Sequence, residues 1–312
     1  MSERIVLALG GNALGNNLIE QRLAVAAAAV PIADLIEAGH EVVICHGNGP
    51  QVGMIDLAFE AASHTVDTVD AMPLSTDGAM SQGYIGFGIQ KALYRELRQR
   101  SIDKVAASIV TQVLVDPDDP AFKNPVKPIG SFYTQEEAEA IMQADPSITL
   151  RQDAGRGWRR VVASPEPLEI IEIEVIRSMV ECGHVVVACG GGGLPVVRDG
   201  AGLLPWEAVI DKDSAGELLA ESVDASTFMI LTVVERVAID FGKPTERWLS
   251  RLSLEEAEAY CAEGQFAPGS MLPKVQAAMR FVRAHPERKA LITSLEHALD
   301  GIEGRTGTLV TA

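Results

Sequence analysis

The sequence predicts an α/β protein: a three-layer α/β/α sandwich with a mainly parallel open sheet and a small protruding subdomain. Short β-branched runs alternate with helical patterns along the 312 residues, which is typical of a sheet covered on both faces. One strand–turn unit occurs twice, since residues 37–49 recur as residues 181–193 with Glu, Gly-His, Val-Val, Cys and two glycines in register. Between residues 116 and 164 the pattern gives way to Pro, Gly, Asp and Arg, which predicts an excursion from the core.

In the N-terminal half, apolar runs bounded by turn residues predict strands at residues 5–9, 41–45 and 105–115. Alanine-rich or amphipathic segments predict helices at residues 20–38, 50–63 and 79–100. Pro31 predicts a kink or a break in the first helix, and Gly39 ends it. Pro50 suits the first turn of the second helix.

In the C-terminal half, strands are predicted at residues 185–189, 228–232, 237–241, 290–293 and 308–310. Helices are predicted at residues 166–182, 214–223, 254–263 and 273–283. Asp213 is the expected N-cap of the helix that starts at Ser214. Ser253 and Glu256 form a capping box, and Pro273 is expected to open the last long helix.

Composition excludes several classes of protein. A formal net charge of −17 argues against nucleic-acid binding, because a polyanion would be repelled. No apolar run reaches the ~18 residues of a membrane span, and the chain starts directly with a strand rather than a leader, which predicts a soluble cytoplasmic protein. Four cysteines form no CxxC pair, and Cys45 and Cys189 end apolar strands, which suits reduced, buried thiols.

Three glycine-rich turns follow predicted strands, at residues 10–12, 47–49 and 190–193. Parallel strands bring their carboxyl ends to one edge, so bare backbone amides are expected to gather there as an anion site. Neither common phosphate motif is present. No G-x-x-x-x-G-K-[ST] sequence occurs, and the glycines of residues 47–53 are spaced one residue too widely for a dinucleotide fingerprint.

Only eight of the 26 basic residues are lysines, and three of them, Lys127, Lys212 and Lys274, lie in turn-rich segments. The plain interpretation of Lys212-Asp213 is a charged turn before a helix. The apolar approach of residues 208–210 favours instead an ammonium held between carboxylates, which suits phosphoryl transfer. A cation such as Lys274 in the first turn of a helix is normally disfavoured, which indicates a nearby anion.

No cluster of histidines or cysteines marks a metal cage, so no protein-held metal is expected. A nucleotide site would bring Mg²⁺ held largely by phosphate oxygens and water.

The chain resembles the carbamate kinases of the amino acid kinase family along essentially its whole length. The segments that carry the resemblance are residues 8–13 (ALGGNA), 46–53 (HGNGPQVG), 79–83 (AMSQG), 121–130 (AFKNPVKPIG), 153–159 (DAGRGWR), 190–193 (GGGG), 207–213 (EAVIDKD) and 266–274 (FAPGSMLPK). Many amino acid kinases place a lysine just before the first Gly-Gly. Here Ala8-Leu9 stands there, as in carbamate kinases, and the resemblance implies that Lys127 supplies the charge instead.

The resemblance implies reversible transfer of the ATP γ-phosphoryl group to carbamate, with ADP and carbamoyl phosphate as products, used to make ATP in arginine or related catabolism. It implies a single domain over residues 1–312, with a carbamate side in the N-terminal half, a nucleotide side in the C-terminal half, and a protruding subdomain at residues 117–164. Small-molecule substrates, MgATP or MgADP, and a homodimer are the implied partners, without nucleic acid or membrane.

Site roles implied by the resemblance fall into three groups. The catalytic residues are Lys127, Lys212, Asp213 and Lys274. The carbamate-binding residues are Gly11, Asn12, Gly49 and Gly53. The nucleotide-binding residues are Gly10, Asn12, Lys212, Met271 and Lys274.

One segment departs from the pattern. Many relatives have an Asp shortly after Met-Pro-Leu, where this chain has Ser75-Thr76-Asp77-Gly78, which puts fine specificity or dimer contacts in question. Two alternatives remain open: a related kinase that phosphorylates another small carboxylate, and a non-catalytic nucleotide sensor.

Overall fold

The computed structural model describes residues 2–10, 14–15, 17–146, 148–152 and 157–312. The strands in this part of the chain are β1 (Arg4–Leu9), β2 (Glu41–His46), β3 (Ala106–Ser108), β4 (Gln112–Leu114), β5 (Lys127–Tyr133), β6 (Leu150–Gln152), β7 (Trp158–Val162), β8 (Glu169–Ile170), β9 (Val185–Val187), β10 (Leu194–Asp199), β11 (Gly202–Pro205), β12 (Thr227–Thr232), β13 (Val237–Ile239), β14 (Arg247–Leu249), β15 (Arg251–Ser253), β16 (Lys289–Ser294) and β17 (Thr308–Thr311).

The α-helices of the described residues are α1 (Leu18–Glu37), α2 (Gly49–Ser63), α3 (Leu74–Gln99), α4 (Gln135–Ala144), α5 (Ile173–Glu181), α6 (Lys212–Ser222), α7 (Leu254–Ala262), α8 (Met271–Ala284) and α9 (Ala298–Ile302). Helix α1 continues through Pro31 without a break, so a split there is not observed. The capping box of Ser253 and Glu256 is confirmed. Helix α8 begins at Met271, two residues before the predicted Pro273.

The central sheet of the described residues has the order β15-β17-β16-β12-β1-β2-β9-β3. Its pairs are parallel except β16–β17, which is antiparallel. Alternate residues of β1 point to opposite faces: Val6 and Ala8 join one apolar core, while Ile5, Leu7 and Leu9 join the other. Helices α6 and α8 cover the first face and α1 and α3 the second, so the predicted three-layer fold is confirmed.

The strand predicted over residues 105–115 is wrong, because it is two strands in different sheets. Strand β3 ends the central sheet, and β4 belongs to a sheet of order β11-β10-β4-β8. The chain turns between them because the side chain of Gln82 accepts the backbone N–H of Thr111 at 2.8 Å in place of a neighbouring strand. Thr111 in turn accepts the backbone N–H of Cys189 at 3.0 Å.

The helix predicted over residues 166–182 is also wrong in its first third. The backbone of Leu168 and Ile171 pairs with β4, and α5 starts only at Ile173. The carboxylate of Glu172 accepts both the backbone and the side-chain N–H of Gln112, at 2.8 and 2.9 Å, which holds the segment in the extended form.

The excursion between residues 116 and 164 has secondary structure of its own. Strands β5, β7 and β6 form an antiparallel sheet, and α4 follows β5 with a complete capping box at Thr134 and Glu137. Among the described helices, none combines the length and hydropathy that crossing a bilayer requires.

Candidate active site

The two copies of the repeated unit lie side by side, because β2 pairs with β9 in parallel. Strand β1 is the other neighbour of β2, so the three glycine-rich turns follow adjacent strands at one edge of the sheet. Gly10, Gly47 and Gly191 each line a cavity at this edge. Gly11 and Asn12, predicted to bind substrate and nucleotide, lie outside the described residues.

The third turn, residues 190–193, is buried and holds the second in place. A Cβ on Gly191 would lie 2.2 Å from the side-chain nitrogen of Asn48, and one on Gly192 would lie 2.2 Å from the carbonyl oxygen of Ile210. Both glycines have φ in the left-handed region. Asn48 donates to the hydroxyl of Ser81 at 2.8 Å. The glycines of this turn therefore position neighbouring segments as well as exposing backbone.

Helix α6 brings the first lysine to the site. Its N-cap is Asp211, whose carboxylate accepts the backbone N–H of Asp213 at 2.9 Å. The predicted cap at Asp213 is thus wrong by two residues, because the cap carboxylate lies before the helix while Asp213 is already inside its first turn. That leaves both oxygens of Asp213 free to accept side-chain donors.

Asp213 is the centre of the cluster. It accepts a hydrogen bond from Lys212 on Oδ1 and from Lys274 on Oδ2, the latter at 2.8 Å. The side chain of Asp213 is 4% exposed and each lysine side chain 13%. Lys274 comes from the first turn of α8, which packs on α6 through a hydrogen bond of 2.9 Å from Arg280 to Ser214.

The charges in this cluster depend on each other. Burial disfavours the Asp213 carboxylate, but the two lysines outweigh it and keep the pKa of Asp213 below its usual value. Burial likewise opposes the charge on Lys212, yet the adjacent carboxylate raises the pKa of Lys212. Burial and the positive charge of Lys212 together lower the pKa of Lys274. The cluster carries more positive than negative charge and has room for a further anion.

Lys127 reaches the same place from the excursion. Its Nζ donates to Asp211 Oδ2 at 2.5 Å, and its side chain is 32% exposed. Burial opposes the charge of Asp211, but Lys127 lowers the pKa of Asp211 to about 2. One carboxylate thus holds Lys127 and the next holds Lys212 and Lys274.

A cavity of ≈ 240 Å³ lies over these residues and is lined by the second glycine turn, Gly191, the three lysines and the two aspartates. A second cavity of ≈ 390 Å³ shares Lys212 and Lys274 with it and contains Gly10. A third, of ≈ 450 Å³, adjoins the second at Val233 and is lined by Phe241, Trp248, Phe266 and Met271 among others. The three form a groove that runs from backbone amides, past ammonium groups, to apolar side chains.

The remaining predicted residues are spread around this groove. Gly49 lines the smallest cavity as the first residue of α2. Met271 lines the apolar cavity. Gly53 is not among the residues lining these three cavities of the described chain; it lies against β5, where an added Cβ would be 2.7 Å from the Cα of Gly130.

Two side chains at the ends of the strands are neutral. Burial lowers the pKa of His46 to about 4, and burial raises the pKa of the Cys45 thiol to about 12. His46 packs under Gly190 and lies 2.9 Å from the carbonyl oxygen of Gly47 through Nδ1. The four cysteines are free thiols, and Cys45 and Cys189 are buried as predicted.

Three contributors were missed as site residues: Asp211, Asn48 and Ser81. The alternating Asp-Lys-Asp of residues 211–213 carried the signal for Asp211. Asn48 and Ser81 are joined across 33 positions, and nothing in either local sequence predicts that contact. In the described residues, no group of three or more His, Cys, Asp or Glu side chains is arranged to hold a metal ion.

Two lysines on one buried carboxylate and a third on its neighbour give this edge of the sheet the positive charge that an anion requires. The model of the amino acid kinase family matches residues 3–294, so the chain belongs to that family. Its relatives place it among the carbamate kinases. The carbamate kinase of Clostridium perfringens (strain 13 / Type A) is 51% identical over 313 residues, which is 98% of this chain and 99% of that protein.

The carbamate kinase-like protein YqeA of Escherichia coli (strain K12) is 56% identical over 310 residues, 99% of each chain. Among solved structures, carbamate kinase from Giardia lamblia bound to AMP-PNP has a TM-score of 0.91 at 43% identity and covers 99% of this chain and 98% of that one. UMP kinase from Bacillus anthracis shares the fold alone, with a TM-score of 0.54 at 13% identity.

Proposed function

We propose that this chain transfers a phosphoryl group reversibly between ATP and carbamate, giving ADP and carbamoyl phosphate. The observation that carries the proposal is the cluster in which Asp213 binds Lys212 and Lys274 while Lys127 reaches the same cavity through Asp211. Such a site supplies what phosphoryl transfer requires, which is positioning and neutralisation of charge on the migrating group.

The chemistry needs no general base. A carbamate oxygen already carries negative charge, so it attacks the γ-phosphorus directly; the new O–P bond forms while the bond to the β-phosphate oxygen breaks and ADP leaves. The neutral His46 and the protonated Cys45 are consistent with this, because neither has to move a proton. In our assignment Lys212 and Lys274 stabilise the equatorial phosphoryl oxygens, and Asp213 orients both ammonium groups.

We assign the carbamate side to the N-terminal half and the nucleotide side to the C-terminal half. The turn at Gly49 would hold carbamate, together with Gly11, Asn12 and Gly53. Gly10 and Asn12 would contact the phosphates. Met271 lines an apolar cavity whose size and aromatic walls suit a purine ring, and this cavity lies next to the lysines.

Mg²⁺ is proposed to enter with the nucleotide. Asp211 and Asp213 are both occupied by lysines, and the described residues offer no cage of three or more ligands, so the donors left for the ion are phosphate oxygens and water. When bound, the ion supplies charge neutralisation between the β- and γ-phosphates.

Residues 117–164 are proposed to act as a protruding subdomain that closes Lys127 over the reactants. The support is local: β5 carries Lys127 and belongs to its own three-stranded sheet rather than to the central one. The bond from Lys127 to Asp211 is the contact that such a closure would make.

We also propose a cytoplasmic homodimer that works in the ATP-forming direction of arginine or related catabolism. Large apolar side chains are exposed on α1 and α3, which pack against each other: Ile19 is 71% exposed, Leu23 69%, Phe87 66% and Tyr94 56%. Such a surface is typical of an interface between subunits.

The test is turnover by the purified protein of ADP and carbamoyl phosphate with Mg²⁺, followed through a coupled ATP assay. We expect ATP formation, and a lack of turnover would remove the proposal. Because one relative is named only carbamate kinase-like, the reverse reaction is also measured with carbamate, acetate and N-acetylglutamate. Preference for another carboxylate would favour a related kinase. Nucleotide binding without turnover of any acceptor would favour a sensor.

A further inference from the structure

Asp77 is a buried acid that the proposed reaction does not use. It lies in the first turn of α3, its side chain is 0% exposed, and no N–H or O–H donor of the described residues hydrogen-bonds to either carboxyl oxygen. An ionised carboxylate in such a place is costly unless donors surround it. The structure therefore favours a protonated Asp77.

Three charged groups from other segments of the chain act on Asp77. Asp56 of α2 lies within hydrogen-bonding reach of its carboxyl group, and Glu207 adds a second negative charge. Arg160 of β7 is the opposing positive charge. Burial, Asp56 and Glu207 together raise the pKa of Asp77 to about 6, against the smaller influence of Arg160. Two carboxyl groups form a hydrogen bond with each other only when they share a proton.

This pair joins the two helices that carry the substrate end of the groove. One turn before Asp56, Val52 of α2 lines the smallest cavity. One turn after Asp77, Ser81 of α3 accepts the hydrogen bond from Asn48, which lines the same cavity. A change in the distance between α2 and α3 at Asp56 and Asp77 therefore moves the two sides of the substrate end of the groove.

Glu207 and Arg160 also lie on segments that lead to the groove. Glu207 stands four positions before Asp211, in the segment whose Val209 lines the cavity. Arg160 is the partner of Ile129 across β5 and β7, and β5 carries Lys127. Charged groups on three other segments that shape the substrate end thus influence one titratable carboxyl group.

We propose that Asp77 is a positioning residue, and that a proton shared between its carboxyl group and that of Asp56 fixes α2 on α3 and so shapes the substrate end of the groove. The inference rests on the proposed function. When the proton leaves, two adjacent carboxylates repel and the substrate end loosens. Substrate binding is then coupled to proton uptake, and the affinity for carbamoyl phosphate is higher on the acidic side.

The experiment compares wild type with Asp77→Asn, whose amide donates to Asp56 at every pH. The exposed Asp67→Asn is the matched control, since it removes an acid from the surface. KM for carbamoyl phosphate and kcat are measured from pH 4.5 to pH 7.5. We expect the ratio of KM values, wild type over Asp77→Asn, to be constant below about pH 5 and then to rise as the pH passes the pKa of Asp77 of about 6, nearing about tenfold at pH 7.5. Titration of the substrate itself cancels in this ratio.

A ratio that stays constant within about twofold would overturn the proposal, because a purely structural acid changes stability but not the pH dependence of KM. Asp56→Asn provides the second variant, should Asp77→Asn not fold: it also removes the need for a shared proton, and the same comparison applies. If wild type shows no turnover at any pH, the proposed function fails instead. The proton on Asp77 is then tested by unfolding, where an unchanged stability difference between wild type and Asp77→Asn at pH 4.5 and pH 7.5 contradicts it.

Discussion

Replacing Asp213 with Asn tests the ammonium cluster most sharply. The carboxylate accepts from two buried lysines, so the substitution keeps the shape of the side chain and removes the negative charge that both lysines bind. Two ammonium groups roughly 4–5 Å apart at an effective dielectric constant of about 20 repel by about 3–4 kcal/mol. Breaking one side of a buried ion pair typically costs about 3–5 kcal/mol of stability, in agreement with that figure.

We expect kcat of Asp213→Asn to fall about 10²–10³-fold, the effect of losing one well-aligned charge-stabilising donor. As the pH is raised above neutral, the variant should also lose activity at a lower pH than wild type does. The pKa of Lys274 is already lowered by burial and by Lys212, and loss of the carboxylate lowers it further, so the ammonium form is lost earlier as pH rises.

The assay is the coupled ATP measurement across pH 6–10, together with denaturant unfolding. Glu217→Gln is the control, because Glu217 is a buried carboxylate on the same helix whose partner is Arg280, at 3.4 Å. Its pKa is raised to about 7, mainly by burial, so the neutral amide is a mild change there. If Asp213→Asn kept kcat within a few-fold of this control, the assigned role of the cluster would be refuted.

The remaining predictions concern single sites. Lys274→Ala should cost about 2–4 kcal/mol of transition-state stabilisation, read from kcat/KM, while the exposed Lys91→Ala leaves it unchanged. Lys127→Ala should lower kcat/KM while the melting temperature stays near that of wild type, because the side chain is 32% exposed; a large drop in melting temperature would contradict a role in closure. Gly53→Ala should destabilise by about 1–3 kcal/mol in denaturant unfolding, since its Cβ would lie 2.7 Å from backbone of β5. Asp77→Asn should be about 3 kcal/mol more stable to unfolding than wild type at pH 7.5 and equal to it below pH 4. The pKa of Asp77 is about 6 in the folded protein and 3.8 in the unfolded chain, so wild type loses stability as the pH rises between these two values. Equal stability of the two proteins at both pH values would contradict this.

Local patterns were sufficient for most of the fold. The capping box at Ser253 and the buried strands needed only short-range information, and their predicted positions are confirmed within one or two residues. The errors lie where a distant side chain competes with the local pattern. Gln82 ends β3 by taking the backbone of Thr111, and Glu172 holds extended a segment whose composition favours a helix.

For the site, too, local patterns predicted some residues, and contacts between distant segments decided the rest. Lys274 stood out because a cation near a helix start is unusual, and Lys212 because an apolar segment leads into alternating Asp-Lys-Asp. The structure brings both lysines onto Asp213. The link from Lys127 to Asp211 spans 84 positions. The turn-rich segment drew attention to Lys127, but only the resemblance to a family gave it a place at the site. The buried state of Asp77 depends on how the start of α3 packs in the folded protein, which its local sequence does not encode.

A crystal structure with Mg²⁺ and AMP-PNP tests the central claim most directly. We expect the Nζ atoms of Lys212 and Lys274 within about 2.7–3.1 Å of oxygens of the γ-phosphate, with Lys127 facing the same group from β5. A γ-phosphate held elsewhere in the groove, with both ammonium groups still bound to Asp213 alone, would contradict it.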